Sequence, residues 1–432
     1  MNAADTIMAL SSGAPPSGVA VIRLSGPRVR EAFMSLAGPL PLPRTLALRR
    51  IGSAERQLDQ GLVAWFPGPR SFTGEDCAEF HVHGSPAGIK AILQALADAG
   101  LRLAEPGEFT RRAFENGKLD LVAVEGLGDL LTAETEKQRQ QALARYDGRL
   151  TEKIENWRQS LLDLRAEIEA RLDFSDEGDV IDDLPATFSG DLAVLKASIQ
   201  DGLASLRSGR IVREGIRVAL AGAPNAGKSS LINALSRSDV AIVSDEAGTT
   251  RDVREVPLDI GGQLFILLDL AGLRDTDSRA EAEGIRRAER AMAEADILLW
   301  LQAPDVPEID LPEVNGKVLK VATKADLPGG QLDSDLSLSV TTGQGIGELM
   351  SRLQNLGETL TGSEPSLISH ERDRLGLEAA LEALGDAELR ISQWELAAEA
   401  LRQASLALER IIGRVDTEQV LDRLFSSFCI GK

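Results

Sequence analysis

Eight residues, 222–229 (GAPNAGKS), limit what this chain can fold into more than any other stretch. They fit G-x-x-x-x-G-K-S, and their flanks fit too. Residues 216–221 (IRVALA) form an apolar, β-branched run that predicts a buried strand, and SSLINAL from Ser229 onward predicts a helix with Leu231, Ile232 and Leu235 turned inward. A strand, a glycine-rich turn and a helix N-terminus make an anion site. The glycines let backbone N–H groups approach phosphate oxygens, and the helix end adds positive potential. Asn225, Ala226, Gly227, Lys228, Ser229 and Ser230 are the expected phosphate contacts. Lys228 neutralises the β and γ phosphates, and the Ser229 hydroxyl sits on Mg²⁺. A chance match in a glycine-rich loop is the competing reading, and correct flanks on both sides argue against it.

The chain has 432 residues, room for two to four domains. It carries 47 Lys and Arg against 67 Asp and Glu, a net charge of −20. That excludes broad coating of a nucleic-acid backbone, so any RNA contact must be a local basic patch or be shared with a more basic partner. Cys77 and Cys429 cannot build a disulfide framework, which fits a reducing cytoplasm. The first residues (MNAADTIMALSSG) lack the features of a signal or transit peptide, and the apolar runs are too short to span a bilayer.

Up to about residue 118, short β-like runs (19–24, 61–66, 78–82) and a helix over 87–99 suggest a small α+β domain. From Leu119 the pattern turns helical, with Ile154, Trp157, Leu161, Leu164, Ile168 and Leu172 at helical spacing, and the end of the chain behaves likewise. Strands and helices alternate around the phosphate loop in between. Half a helical domain would leave its apolar face uncovered, so an α/β domain inserted into one helical domain is the simplest arrangement. The expected boundaries are 1–118, 119–213, 214–362 and 363–432. The acidic run 173–179 resembles a calcium loop, but Leu184 at its twelfth position cannot be a bidentate ligand, so it reads as a solvated connection.

Two further segments choose the nucleotide. Residues 264–268 form a strand ending in Asp269, Leu270, Ala271 and Gly272, which places a carboxylate behind Mg²⁺ and a glycine N–H near the γ-phosphate. Residues 318–322 form a strand ending in Thr323, Lys324, Ala325 and Asp326. The Asp326 carboxylate can accept the two N–H groups of the guanine edge, which adenine lacks, at about 1.5–3 kcal/mol per bond. The Lys324 stem can lie over the base. Leu270 stands where D-T-A-G has threonine, and Thr323 where N-K-x-D has asparagine. Ser339, Val340 and Thr341 occupy the place of an S-A-K-type loop. These departures predict weaker binding with specificity retained. Thr250, in 248–252 (GTTRD), sits where switch I completes the Mg²⁺ shell. Leu273 cannot orient water as a glutamine does at that position, and Glu281 and Glu283 are the nearby acids. Arg251 and Arg274 give no specific arginine-finger signal, so a bound cation is the substitute.

Five segments resemble one family over essentially the whole chain: 72–86 (FTGEDCAEFHVHGSP), 107–121 (GEFTRRAFENGKLDL), 222–235 (GAPNAGKSSLINAL), 247–252 (AGTTRD) and 428–432 (FCIGK). The family is the tRNA-modifying GTPase family MnmE, also called TrmE. The resemblance implies an N-terminal α+β tetrahydrofolate-binding and dimerisation domain and a helical domain interrupted by an inserted Ras-like P-loop GTPase domain. It implies a cytoplasmic homodimer, with no membrane association, acting with the flavoprotein MnmG (GidA). Together they add an aminomethyl or carboxymethylaminomethyl group at the wobble uridine of certain tRNAs, from a 5-formyl- or 5,10-methylene-tetrahydrofolate donor. It implies K⁺-stimulated GTP hydrolysis as two G domains meet.

By matched position, the resemblance makes Asn225 a K⁺ ligand. The K⁺ loop becomes Ser244, Asp245, Glu246, Ala247, Gly248 and Thr249, with Ser244, Glu246 and Thr249 as ligands. It makes Glu281 the water-positioning residue, and it gives folate contacts at Arg23, Glu79, Lys118 and Lys432. Cys429 is read either as a thiolate in one-carbon chemistry or as a small packed residue, the latter preferred. His81 and His83 share a strand face without a third metal ligand and read as packing. Two other readings stand beside this one: a ribosome-assembly GTPase, and a non-hydrolytic nucleotide switch that a turnover assay would separate.

Overall fold

The structure is a computed structural model. It describes residues 5–173, 184–242, 254–269, 290–328, 332–362, 364, 366–415, 424–426, 428, 430 and 431. The chain divides into two compact units, residues 1–128 with 405–432, and residues 129–404.

The first unit is built on a mixed sheet of β1 (Ile7–Leu10), β2 (Ser17–Ser25), β3 (Ala47–Gly52), β4 (Gln57–Phe66), β5 (Cys77–Gly84) and β6 (Arg102–Leu103). Its order is β3-β4-β5-β2-β1-β6, with only β1 and β6 parallel. Alternation along β2 and β5 sends Ile22, Leu24, Ala78, Phe80 and Val82 to one face, where α1 (Val29–Ala37) and α2 (Pro86–Asp98) cover them. Pro86 at the first turn and the Ser85 hydroxyl, which accepts from the Gly88 amide, start α2. The opposite face carries Arg23, Ser25, Cys77 and Glu79, with Arg23 opposite Glu79 and Ser25 opposite Cys77. The short α3 (Glu108–Glu115) follows Gly107. A side chain at Gly107 would lie 2.6 Å from the Phe425 carbonyl, so the glycine lets the C-terminal segment approach. Phe425 and Phe428 then pack on Leu121 and Val124 of α4 (Leu121–Thr132).

The second unit holds a helical part and an α/β part. Within the helical part, α6 (Arg149–Asp173) and α7 (Phe188–Ala204) bury Ile154, Trp157, Leu161, Leu192 and Ile199. Trp157 Nε1 donates to Ser198 Oγ at 2.9 Å. The α/β part has the sheet order β12-β11-β10-β7-β9-β8. Its strands are β7 (Ile216–Gly222), β8 (Arg254–Ile260), β9 (Gln263–Asp269), β10 (Ile297–Gln302), β11 (Lys317–Ala322) and β12 (Leu336–Ser337). All neighbours are parallel except β8 and β9. Chain order reverses direction about β7, which makes its carboxyl end the ligand crevice. α9 (Lys228–Leu235) leaves that end, and α10 (Ile346–Thr361) packs Leu349 and Leu353 into the core.

α5 (Glu136–Tyr146) ties the two parts of this unit together. The α/β part is entered after α8 (Leu206–Glu214) and left before α11 (Glu371–Leu389). Gln141 Nε2 donates to both crossings, to the Gly209 carbonyl at 3.1 Å and the Ser366 carbonyl at 2.6 Å. Gln138 Nε2 donates to the Arg213 carbonyl, and Lys137 Nζ to Thr361 Oγ1. Arg145, fully buried, pairs with Asp373 at 2.8 Å. The Lys137 amide donates to the Gly262 carbonyl, in the turn before β9. The interrupted helical domain expected from the hydrophobic pattern is therefore the one observed. α12 (Trp394–Ile412) is the last long helix among the described residues. No helix among the described residues is long and apolar enough to cross a membrane.

Candidate functional site

The phosphate loop leaves β7 where that strand is flanked on both sides. A side chain at Gly222 would lie 2.1 Å from the Leu301 carbonyl of β10, and its φ of +143° is a glycine conformation. Asn225 has φ 65°, and Gly227, at φ 91°, caps α9. Positive φ at Gly222, Asn225 and Gly227 is the backbone that a phosphate-cradling turn needs. Lys228 Nζ donates to the Gly222 and Ala223 carbonyls at 2.9 and 2.7 Å, so the ammonium lies across the loop. Pro224, Asn225, Ser229 and Ser230 are exposed, whereas Ala226 is fully buried. Asp269 ends β9 beside Leu220 of β7, 7 % exposed.

Thr323, the residue in the asparagine position, joins this loop to the base-reading loop. It is 3 % exposed, and its hydroxyl lies 2.7 Å from the Ala226 carbonyl and 3.1 Å from the Gln302 carbonyl. One hydroxyl hydrogen serves two acceptors, where an asparagine amide would supply two donors. The Ala325 amide donates to the Leu338 carbonyl, which holds the loop of Lys324 and Asp326 against that of Ser339, Val340 and Thr341. Ser339 is fully buried, and its Oγ accepts from the Thr342 amide, so it shapes its loop from beneath. Asp326 is exposed. Lys324 takes φ 53° and reaches Asp305, both carboxylate oxygens within 2.8 Å of its Nζ. That contact is not legible from the motif, since Asp305 lies in a different loop.

Several expected site residues lie outside the described residues: Ser244, Asp245, Glu246, Ala247, Gly248, Thr249, Thr250, Leu270, Ala271, Gly272, Glu281, Cys429 and Lys432. So do residues 174–179 of the acidic run.

In the first unit, Arg23 Nη2 and Glu79 Oε1 are 3.0 Å apart, and the guanidinium sits 5.3 Å from the Phe72 ring centroid and 5.9 Å from that of Phe109. Glu79 Oε2 also meets His81 Nε2 at 3.0 Å. His83 instead meets Asp59, so the two histidines serve different carboxylates, and the His83 side chain is 74 % exposed rather than packed as expected. Lys118 extends beside Gly74, next to the Phe72 loop.

Beside Arg23 runs a buried polar chain that motif reading missed. Cys77 Sγ and Thr73 Oγ1 lie 3.1 Å apart, Ser25 Oγ meets Thr73 Oγ1 and Glu75 at 2.6 Å each, and Glu75 pairs with Arg112. Arg112 and Arg102 both pair with Glu108, whose side chain is 1 % exposed. Burial alone would raise the Glu108 carboxyl. Hydrogen bonds from Arg102, the Glu105 amide and Arg112 outweigh it and hold the group at about 2. The one sequence signal was the i, i+4 spacing of Glu108 and Arg112.

With this geometry in place, relatedness decides the family. Residues 6–118 match the model of the GTP-binding protein TrmE N-terminus, and residues 121–429 match that of the MnmE helical domain. A tRNA modification GTPase MnmE of Azorhizobium caulinodans is 49 % identical over 437 residues, covering 99 % of both chains. Its counterpart from Rhizobium meliloti is 48 % identical over the full length of both. One from Phenylobacterium zucineum is 47 % identical, covering 99 % of this chain and all of its own.

The chain belongs to the MnmE family. The relatives match across the residues of both units. The MnmE helical-domain match, residues 121–429, begins before the phosphate loop and ends after it.

Proposed function

We propose that this chain is a GTP hydrolase that works with the flavoprotein MnmG on tRNA. In this reading it is a cytoplasmic homodimer that adds an aminomethyl or carboxymethylaminomethyl group at the wobble uridine. One observation carries the reading. The Thr323 hydroxyl ties the base-reading loop to the phosphate loop at Ala226, in a chain matched end to end by tRNA modification GTPases. Asp326 accepts the guanine N–H pair, and Lys228 neutralises the terminal phosphates.

Ser229 and Thr250 are the residues to hold Mg²⁺. The exposed hydroxyl of Ser229 at the start of α9 and the nearly buried Asp269 at the end of β9 are oxygen ligands of the kind a hard cation takes. Asn225, Ser244, Glu246 and Thr249 are those to hold K⁺. Asn225 fits, since its positive φ leaves an exposed amide on the phosphate-loop turn. That cation supplies the charge an arginine finger supplies elsewhere. Glu281 orients the attacking water.

The tetrahydrofolate derivative supplies the one-carbon unit when bound. Arg23, Glu79, Lys118 and Lys432 are its contacts, and Arg23 and Glu79 fit because they are 21 % and 17 % exposed and remain reachable. A carboxylate there pairs with the amide-like pterin edge, and cations suit the glutamate tail.

The test is hydrolysis by the purified chain in KCl and in NaCl. Faster turnover in KCl is expected, and equal rates sink the K⁺ assignment. Glu281→Ala should slow turnover and leave nucleotide affinity intact. Mass spectrometry of tRNA nucleosides from cells lacking the chain should show loss of the wobble modification.

A further inference from the structure

An acidic chain that acts on RNA needs a place where the backbone of that RNA is welcome. Residues 5–118 carry 13 Lys and Arg against 11 Asp and Glu, while the whole chain stands at −20. The excess is concentrated at one sheet edge. β3 is an edge strand, so it presents an outer row of backbone groups outside the sheet. Arg49 and Arg50 lie on it, pointing to opposite faces, with Arg44 and Arg70 at one end and Arg56 in the turn at the other. Lys90 of α2 lines the same groove as Arg56 and Ser53.

None of these six cations has a carboxylate partner within 4 Å among the described residues. Arginines elsewhere are mostly paired: Arg102 and Arg112 with Glu108, Arg139 with Glu136, Arg352 with Glu348, Arg402 with Glu399. The only acids between residues 40 and 70 are Glu55 and Asp59, and Asp59 is taken by the amide and ring of His83. Arg44 donates to the carbonyl of Arg70, which brings two positively charged residues together. A band of like charge whose nearby acids, Glu55 next to Arg56 and Asp98 in the Lys90 groove, form no ion pair with it works against the folded state unless an anion joins it.

We infer that the β3 edge, with Arg44, Arg49, Arg50, Arg56, Arg70 and Lys90, is a docking surface for the phosphate backbone of RNA. The six residues of β3 span about 20 Å, and the cations fan to both faces of its edge. That is a track for a strand of phosphates rather than a flat patch for a protein face. The surface lies outside the nucleotide and folate sites proposed above. It rests on the tRNA reading, and deepens it by saying which part of the chain holds the RNA.

The experiment uses the full chain and a fluorescently labelled tRNA transcript with uridine at the wobble position. Anisotropy titrations run from 25 to 200 mM KCl. The variants are R49E/R50E and R44E/R70E, with R237E/R390E as an equal charge change outside the band. Each band variant should lose at least tenfold in affinity at low salt. The slope of log affinity against log salt should fall by about 1.5 to 2, as two phosphate contacts are removed. The control should stay within twofold of wild type, and GTP turnover and sedimentation should be unchanged in all.

Unchanged affinity and slope in both band variants overturn the proposal. So does unchanged tRNA binding with altered self-association, which would make the edge a protein interface. Complementation keeps the two readings apart. If the wild-type chain fails to restore wobble modification, the tRNA reading itself falls. If it succeeds while the band variants bind tRNA normally, only the docking surface falls.

Discussion

Removing one hydroxyl at Thr323 should loosen nucleotide binding without slowing chemistry. Thr323→Val keeps the shape of a side chain that is 3 % exposed and deletes the donor to the Ala226 carbonyl at 2.7 Å. The Gln302 carbonyl keeps the Thr323 amide as a donor at 2.7 Å, so the loss falls on the phosphate-loop side. A neutral hydrogen bond is worth about 1 kcal/mol, and a buried acceptor left without its donor adds to that, so about 1–2 kcal/mol is at stake. This bond holds the phosphate loop before nucleotide arrives. Without it the loop relaxes in the free protein, and nucleotide must reorder it on binding. The dissociation constant should rise about 5- to 30-fold, mainly through faster release. Stopped-flow release of a fluorescent GDP analogue measures this directly, and single-turnover hydrolysis at saturating GTP should stay within twofold. Thr323→Asn should bind at least as tightly as the wild type, since the amide offers two donors. A valine variant that releases nucleotide at the wild-type rate would refute the view that this hydroxyl organises the loop.

Gly222→Ala places a methyl 2.1 Å from the Leu301 carbonyl at a φ of +143°, so it should cost on the order of 3 kcal/mol and abolish GDP binding in equilibrium titration. Glu108 has its folded pKa held at about 2 against an ordinary 4.5. Its stabilisation is complete above pH 4.5 and disappears as pH falls through 2. Urea unfolding should therefore lose about 2 kcal/mol from this group between pH 6 and pH 3, a loss absent in Glu108→Gln. Asp373→Asn removes the carboxylate beside the buried Arg145, and thermal unfolding should report about 3–5 kcal/mol, much of it recovered when both residues become leucine.

The phosphate loop was legible because its chemistry is local: glycines, lysine and serine within eight residues, with a strand before and a helix after. The interrupted helical domain was legible because an apolar helix face without a partner demands one. Contacts made across long sequence separations were not. Lys324 and Asp305 are 19 positions apart, and Ser25 and Glu75 are 50 apart. No spacing rule links such pairs, because strand order brings them together. Arg112 and Glu108 stood inside a segment whose family resemblance was plain, yet their burial was invisible. A charged pair at i, i+4 reads as a solvated helix face until the sheet beneath it is known.

The single amide of Gln141 touches the chain both where it enters the nucleotide-binding part and where it leaves. Ser366 Oγ reaches the Ser205 carbonyl at 2.9 Å, so the two crossings lie side by side. The module is therefore hung from one hinge pin, α5 with its Lys137, Gln138 and Gln141 bonds, rather than slung between two tethers. It cannot swing on the helical part without either breaking that pin or carrying α5 along as a passenger. The same adjacency means the whole module could be cut out and the crossings joined by a few glycines, leaving the helices to close over an uninterrupted core.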